Sequence, residues 1–313
     1  MGGRGLPLEV VAVWALFAVV AVEILVTYSR LPVNELYHVS RSGFPGGASR
    51  VLVFLNFPLA LVAIPILVLL AVWLPGLPAK IAAAVGVVLS AAVFWPGVVK
   101  QSDLDARAVN TIAALGVLAA LSLTVVAARR LGWPPSTVRS QPGDRLRVIV
   151  ALVALLLAVP WIGADLGVSF SGVPVLGTLY QTGELRSQPH VTGLHPAVHH
   201  GHHHGMDGVL LVLSALLLSR VIPSVSANRL RRTLGAYLAL MLCYGVGNLA
   251  NDFWLEQIVK RGWTDWEIPD VTRPKVSAAW GVIVFAAALL WAAALVRAPR
   301  SPAHIMPARQ ETA

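Results

Sequence analysis

Two apolar runs bracket one polar segment: Arg147–Leu166, RVIVALVALLLAVPWIGADL, and Asp207–Ile222, DGVLLVLSALLLSRVI, with Pro189–Asp207, PHVTGLHPAVHHGHHHGMD, leading into the second. A run of about 20 apolar residues is the length an α-helix needs to cross a bilayer. The polar segment therefore reads as a loop joining two membrane spans. It holds seven of the chain's nine histidines: His190, His195, His199, His200, His202, His203 and His204.

The same pattern recurs along all 313 residues. Apolar runs fall at about 8–28, 51–74, 79–97, 109–128, 147–166, 207–222, 233–254 and 276–297. These predict an all-α fold: a polytopic integral membrane bundle of eight transmembrane helices, forming a single domain over 1–297 with a disordered cytoplasmic tail at 298–313. Composition agrees. The chain is 57% hydrophobic and 12% charged, against about 25% charged residues in a soluble domain, and its mean hydropathy is +0.72. The first run is too long for a signal-peptide core, and no small-x-small cleavage site follows it. The single cysteine, Cys243, excludes an intrachain disulfide framework.

Net charge is +9, which taken alone suggests nucleic acid. Placing the charges on the spans removes that reading. One set of loops carries 14 basic residues against three acids, and the other 10 basic residues against 12 acids. Lys and Arg accumulate on the cytoplasmic side. The rule puts both termini inside (N-in/C-in) and the loop 167–206 outside, in a plasma (cytoplasmic) membrane.

The outer face then gathers the histidines, nearly all the acids and the longer loops. Glu23, Asp165, Asp207 and Asp252 fall at the outer ends of spans. A carboxylate within a span costs roughly 2.5–3.5 kcal/mol at mid-membrane and less near the ends, so such groups face a bundle interior or a wet cavity. A polar pocket capped by the loop 167–206 follows. Asn248, Asp252 and Glu256 recur every fourth residue and so line one helix face, with Asn251 beside them. In the first outer loop, NELYHVSRSGFPGGASR, Glu35 and His38 are three apart. Asn56 and Pro58 mark a kink in the second span. Glu23, His38, Asn56, Asp165 and Asn248 are candidates for a substrate path.

His195, His199 and His203 recur every fourth residue, as do His200 and His204. On a helix this presents imidazoles one turn apart to a single metal. Gly201 and Gly205 interrupt such a helix, and a loop of mixed geometry serves equally. The cofactor expected is a divalent transition metal: Zn, Cu or Fe. The spacing is not HExxH. His195-x-x-x-His199-His200 resembles one histidine box of the membrane desaturases and hydroxylases. Those families spread several boxes along the chain, whereas only His38 and His304 lie elsewhere here, so no role is carried over. Asp207 is either a carboxylate ligand or the N-cap of the sixth span.

The function expected is a membrane metalloprotein with an outward His/carboxylate site: a metal-dependent hydrolase or oxygenase acting on a lipid or another apolar membrane-borne substrate. Asp207, Asp252 and Glu256 serve as its proton-transfer carboxylates. The alternatives are a transition-metal transporter or metal-acquisition protein, and a non-catalytic subunit or assembly factor. The partners expected are the bilayer, the apolar substrate, and a membrane-protein partner or a second copy, with no nucleic acid.

Overall fold

The structure, a computed structural model, describes residues 5–33, 36, 38–98, 100, 103–133, 135–136, 140–181, 183–187, 193–198, 203–272 and 275–297. Eight of its helices are long and apolar enough to cross a membrane. They are α1 Leu8–Arg30, α2 Gly43–Trp73, α3 Leu77–Phe94, α4 Asn110–Leu131, α5 Asp144–Asp165, α6 His203–Val221, α7 Asn228–Val259 and α8 Ala278–Arg297. Besides them there is a two-stranded antiparallel clip, Leu185–Ser187 against Leu194–Pro196, with Arg186 opposite His195. The tail at 298–313 lies outside the described residues.

Burial decides which helices are central. α2 and α6 have the largest buried shares, while α8 is mostly exposed and packs along α7. α6 is flanked by α7, α5 and α1. In α6, Val209, Leu210, Leu211 and Val212 are all buried, so the helix is apolar on every side, as a central helix must be. α3 and α4 pack against the far side of α2.

The α6–α7 contact is made backbone to backbone. A Cβ on Gly208 would lie 2.7 Å from the Gly245 carbonyl oxygen, and one on Gly245 would lie 2.8 Å from the Gly208 carbonyl. Small residues at both positions let the two helices meet closely, the usual device of helix packing in lipid. At the end opposite the histidines, an ion network joins α1, α5 and α6. Arg220 pairs with Glu9 at 3.0 Å and with Asp144, and Arg147 bonds Asp144 at 3.0 Å and the Ser219 hydroxyl at 2.9 Å.

Two expectations need correction. The helix that carries the second span begins at Gly43, ahead of the apolar run from about residue 51. Glycines of the stretch assigned to the first outer loop let α2 press on α1: a Cβ on Gly47 would lie 2.6 Å from the Leu25 carbonyl oxygen and would overlap the Ser29 hydroxyl. α2 also contains a π-turn, Leu55–Leu59, at Asn56 and Pro58, because Pro58 has no N–H to continue the α ladder. Second, His195 lies in a strand and His203 opens a helix. His195 and His203 therefore do not share a helical face.

The close contact sets a test. Gly245→Val is expected to cost about 1–3 kcal/mol by overpacking, read as a lower unfolding temperature in detergent. Gly281→Ala, where a Cβ meets nothing within 4 Å, is expected to leave that temperature unchanged or slightly raised.

Candidate functional site

The α6–α7 crossing fixes the site. Gly208 and Gly245 place the start of α6 beside the last turns of α7, and a Cβ on Gly208 would lie 3.3 Å from the Asn248 Cβ. One turn on, the Asp252 Oδ2 accepts a hydrogen bond from the Gly205 amide at 2.9 Å, and this bond is buried. The first amides of a helix have no partner within it, and a carboxylate at that end also meets the positive end of the helix dipole. Asp252 thus acts as the acceptor that starts α6. Asp207, which the sequence offered as the N-cap, lies inside the helix in its second turn.

Asp207 is 5% exposed, and its Oδ1 finds no hydrogen-bond partner among the described residues. It lies in electrostatic range of Arg50 and Asp252. Arg50 is buried at the start of α2, with its guanidinium 5.8 Å from the Tyr28 ring centroid. Gly47, three residues earlier, makes this meeting possible by bringing α2 against α1. The same arginine acts on Glu23 in α1, whose carboxyl lies within hydrogen-bonding reach of the Asp165 carboxyl in α5. Thr27 donates to the Glu23 Oε1 at 2.9 Å and, at 3.3 Å, to the Asp165 carbonyl, which also accepts from Arg30 at 2.7 Å. Four helices therefore bring Glu23, Asp165, Asp207 and Asp252 to one end of the bundle, with Arg50 among them. The Glu23 Oε2, Arg50 Nε and Trp161 Nε1 are also buried and lack a partner among the described residues.

The remaining described candidates are engaged in other contacts. Asn248 is buried and donates to the Tyr244 carbonyl of its own helix at 3.0 Å. Glu256 lies in the π-turn that ends α7 and pairs with Lys260 at 2.5 Å. Asn56 ties α2 to α4, donating to the Leu52 carbonyl at 3.0 Å and the Asn110 carbonyl at 2.5 Å. His38 is exposed with a left-handed φ of 52°, and its carbonyl accepts the Leu104 amide at 2.9 Å, which joins two loops. Glu35, His190, His199, His200 and His202 lie outside the described residues.

The histidine segment is held at points on both sides of His199–His202. Ala197 and Val198 are fully buried, and Val198 packs in an apolar cluster with Trp161, Ala164 and Leu249. The Ala197 amide donates to the Glu184 carbonyl at 2.8 Å. On the other side, a Cβ on Gly205 would overlap the Trp161 indole. Arg261 holds the preceding part of the loop: it pairs with Glu184 at 2.9 Å and donates to the Thr178 carbonyl at 2.6 Å, the Leu179 carbonyl at 3.2 Å and Gln257 at 2.8 Å. Among the described residues, no three His, Cys, Asp or Glu side chains group so as to hold a metal ion. The acids alone are therefore not a metal site.

Sequence reasoning passed over Arg50, Tyr28, Trp161 and Arg261. Arg50 read as the last residue of the first outer loop, although it stands between small residues, Gly46–Ser49, and the apolar run that follows. Comparison of the chain with known protein families, with curated proteins and with solved structures finds no match.

Replacing Asp252 tests its role as the acceptor that starts α6. Asp252→Ala leaves the buried Gly205 amide without an acceptor and is expected to cost about 1–3 kcal/mol. Asp252→Asn keeps an oxygen acceptor and should recover most of that stability, as measured by thermal unfolding of the purified protein.

Proposed function

We propose that the chain is an integral membrane metalloprotein in which the histidine run and the acids at the same end of the bundle form one transition-metal site. In this reading both termini are cytoplasmic, the site faces outward from the plasma membrane, and it acts on a lipid or another apolar substrate arriving from the bilayer. The observation that carries the proposal is the buried bond from Gly205 to Asp252 at 2.9 Å. It ties the end of the histidine run to an acid cluster, and Val198 ties the other side to the same region.

The proposed ligands are the histidines between these anchors, His199, His200, His202, His203 and His204, together with Asp207. Imidazole suits Zn, Cu and Fe, and carboxylate adds a hard donor that all three accept. Asp207 is preferred over Asp252 because its Oδ1 has no hydrogen-bond partner among the described residues. Asp252 is instead the positioning residue that starts α6. Glu23 and Asp165, reached through Arg50, are the groups placed to receive or return a proton. A bound metal supplies Lewis acidity and activates water or dioxygen. An apolar substrate is favoured because the helices around the cluster present apolar side chains outward, such as Val19, Val22 and Val26 on α1.

The test is elemental analysis of full-length protein purified without a polyhistidine tag and without nickel resin. About one tightly held metal per chain is expected, surviving dialysis. His203→Ala and Asp207→Asn should each lose it while remaining folded and monodisperse. Metal that washes off wild-type protein, or full occupancy in both variants, would sink the proposal.

A further inference from the structure

The segment between α5 and the strand clip presents a surface that the metal reading does not use. From Gly167 to Gly183, GVSFSGVPVLGTLYQTG, there is no charged residue. The segment is nevertheless folded. α5 ends in paired bonds, Val168 amide to Gly163 carbonyl at 2.8 Å and Gly167 amide to Ala164 carbonyl at 2.9 Å, with Gly167 at φ +71°. This is a Schellman end. The Val173 amide then bonds the Phe170 carbonyl at 2.9 Å, the Gly177 amide bonds the Val173 carbonyl at 2.7 Å, and the Tyr180 amide bonds the Leu176 carbonyl at 2.7 Å. The Phe170 and Tyr180 rings close the segment edge to face at 6.4 Å. Gly177 is packed so tightly that a Cβ would lie 2.5 Å from the Phe170 carbonyl oxygen. Arg261 pins the base through the Thr178 and Leu179 carbonyls. The result is a compact apolar knob.

Its outer surface carries Val173, Val175, Leu176 and Leu179, all exposed, with the Ser169, Ser171 and Thr178 side chains exposed beside them. Val175 is 73% exposed with φ +67°, at the centre of a γ-turn closed by the Leu176 amide and the Pro174 carbonyl at 2.8 Å. A left-handed φ strains a β-branched residue, and glycine would serve there without strain. In water, a strained and exposed valine has no compensating contact. In hydrocarbon it does.

We propose that this knob dips into the outer leaflet of the bilayer and takes lipid acyl chains as its partner, rather than standing in water. Two placements support lipid over a protein partner. The knob continues the exposed apolar face of α5, which carries Leu152, Val153, Leu156 and, at its exit, Leu166. Arg261, which holds its base, is two residues from the exposed Trp263 and close to the exposed Trp266, and tryptophans of this kind mark the membrane–water interface. The absence of charge over the whole segment suits an acyl boundary and gives a protein partner no ion pair to make. This inference does not depend on a metal being bound.

Spin labelling tests it on the full chain in phosphatidylcholine vesicles. Cys243→Ala removes the one native thiol, and Val173→Cys, Val175→Cys and Leu176→Cys are then labelled singly. Leu152→Cys on α5 is the lipid-facing control, and Arg41→Cys, at an exposed loop position, is the aqueous control. At the knob positions, the ratio of collisions with oxygen to collisions with a water-soluble nickel chelate should exceed that at position 41 several-fold and lie towards that at position 152, which is deeper in the bilayer. Three positions are used so that one misfolded variant does not decide the result. A ratio at the level of position 41, or protection from both collision partners as under a protein, would overturn the proposal.

Discussion

A helix that starts inside a bundle must find acceptors for amides that have none within the helix. α6 starts in this way, and the acceptor comes from another helix: the Asp252 carboxylate receives the Gly205 amide in a buried bond. Asp252 reaches it only because α6 and α7 approach to backbone contact at Gly208 and Gly245. Much of the histidine end depends on this pair of facts. The bond fixes where α6 begins and holds the chain just after His204. It also places Asp207 one turn deeper, within range of Arg50.

The two ends of the bundle handle buried charge differently. At the end away from the histidines, Arg220 and Arg147 meet Glu9 and Asp144 in paired contacts, and the network joins three helices. That arrangement is a clamp: breaking one partner leaves a poorly solvated charge, so the helices stay registered. At the histidine end Glu23 and Asp207 lie in range of Arg50, with Asp165 beside Glu23 and Asp252 beside Asp207, and Glu23 Oε2, Arg50 Nε, Asp207 Oδ1 and Trp161 Nε1 are buried without a partner among the described residues, against Glu9 Oε2 at the clamp. Such an arrangement is poor for stability. Local violations of this kind are expected where a protein binds or reacts with something, which is why a site is proposed there and not at the clamp.

The spans were legible in the sequence because a bilayer imposes one length and one composition on every crossing helix, and all eight appear. The gathering of Glu23, Asp165, Asp207 and Asp252 at one end was legible for a related reason: alternating helix directions carry the ends of α1, α5 and α7 and the start of α6 to the same side. What sequence could not supply is which helices touch. Asp207 looked like a cap because it directly precedes an apolar run, yet α6 starts at His203 because its capping group arrives from α7. The fourfold histidine spacing left a helix and a loop of mixed geometry equally open, and the clip around residues 185–196, which places His195 in a strand, removes the single helix. Gly47 fell in the stretch assigned to the first outer loop, whereas it is the point where α2 touches α1 and Arg50 is carried inward. In each case the missing information was a contact between distant segments.

The two anchors of the histidine segment differ in kind, and that difference bears on how the segment responds to its surroundings. Val198 is held by apolar packing against Trp161, Ala164 and Leu249, a contact indifferent to local charge. Gly205 is held by a hydrogen bond to a carboxylate, a bond roughly twice as strong when the acceptor is ionised as when it is neutral. A cation arriving among the acids competes for the charge on Asp252 and weakens the second anchor while leaving the first intact. Asp207, with Oδ1 unpartnered among the described residues, can receive a cation without giving up any such bond. In the metal reading proposed above, the cost of loading the site is therefore lowest when Asp207 binds and Asp252 stays with the helix, which is why the two neighbouring aspartates are given different roles in that proposal.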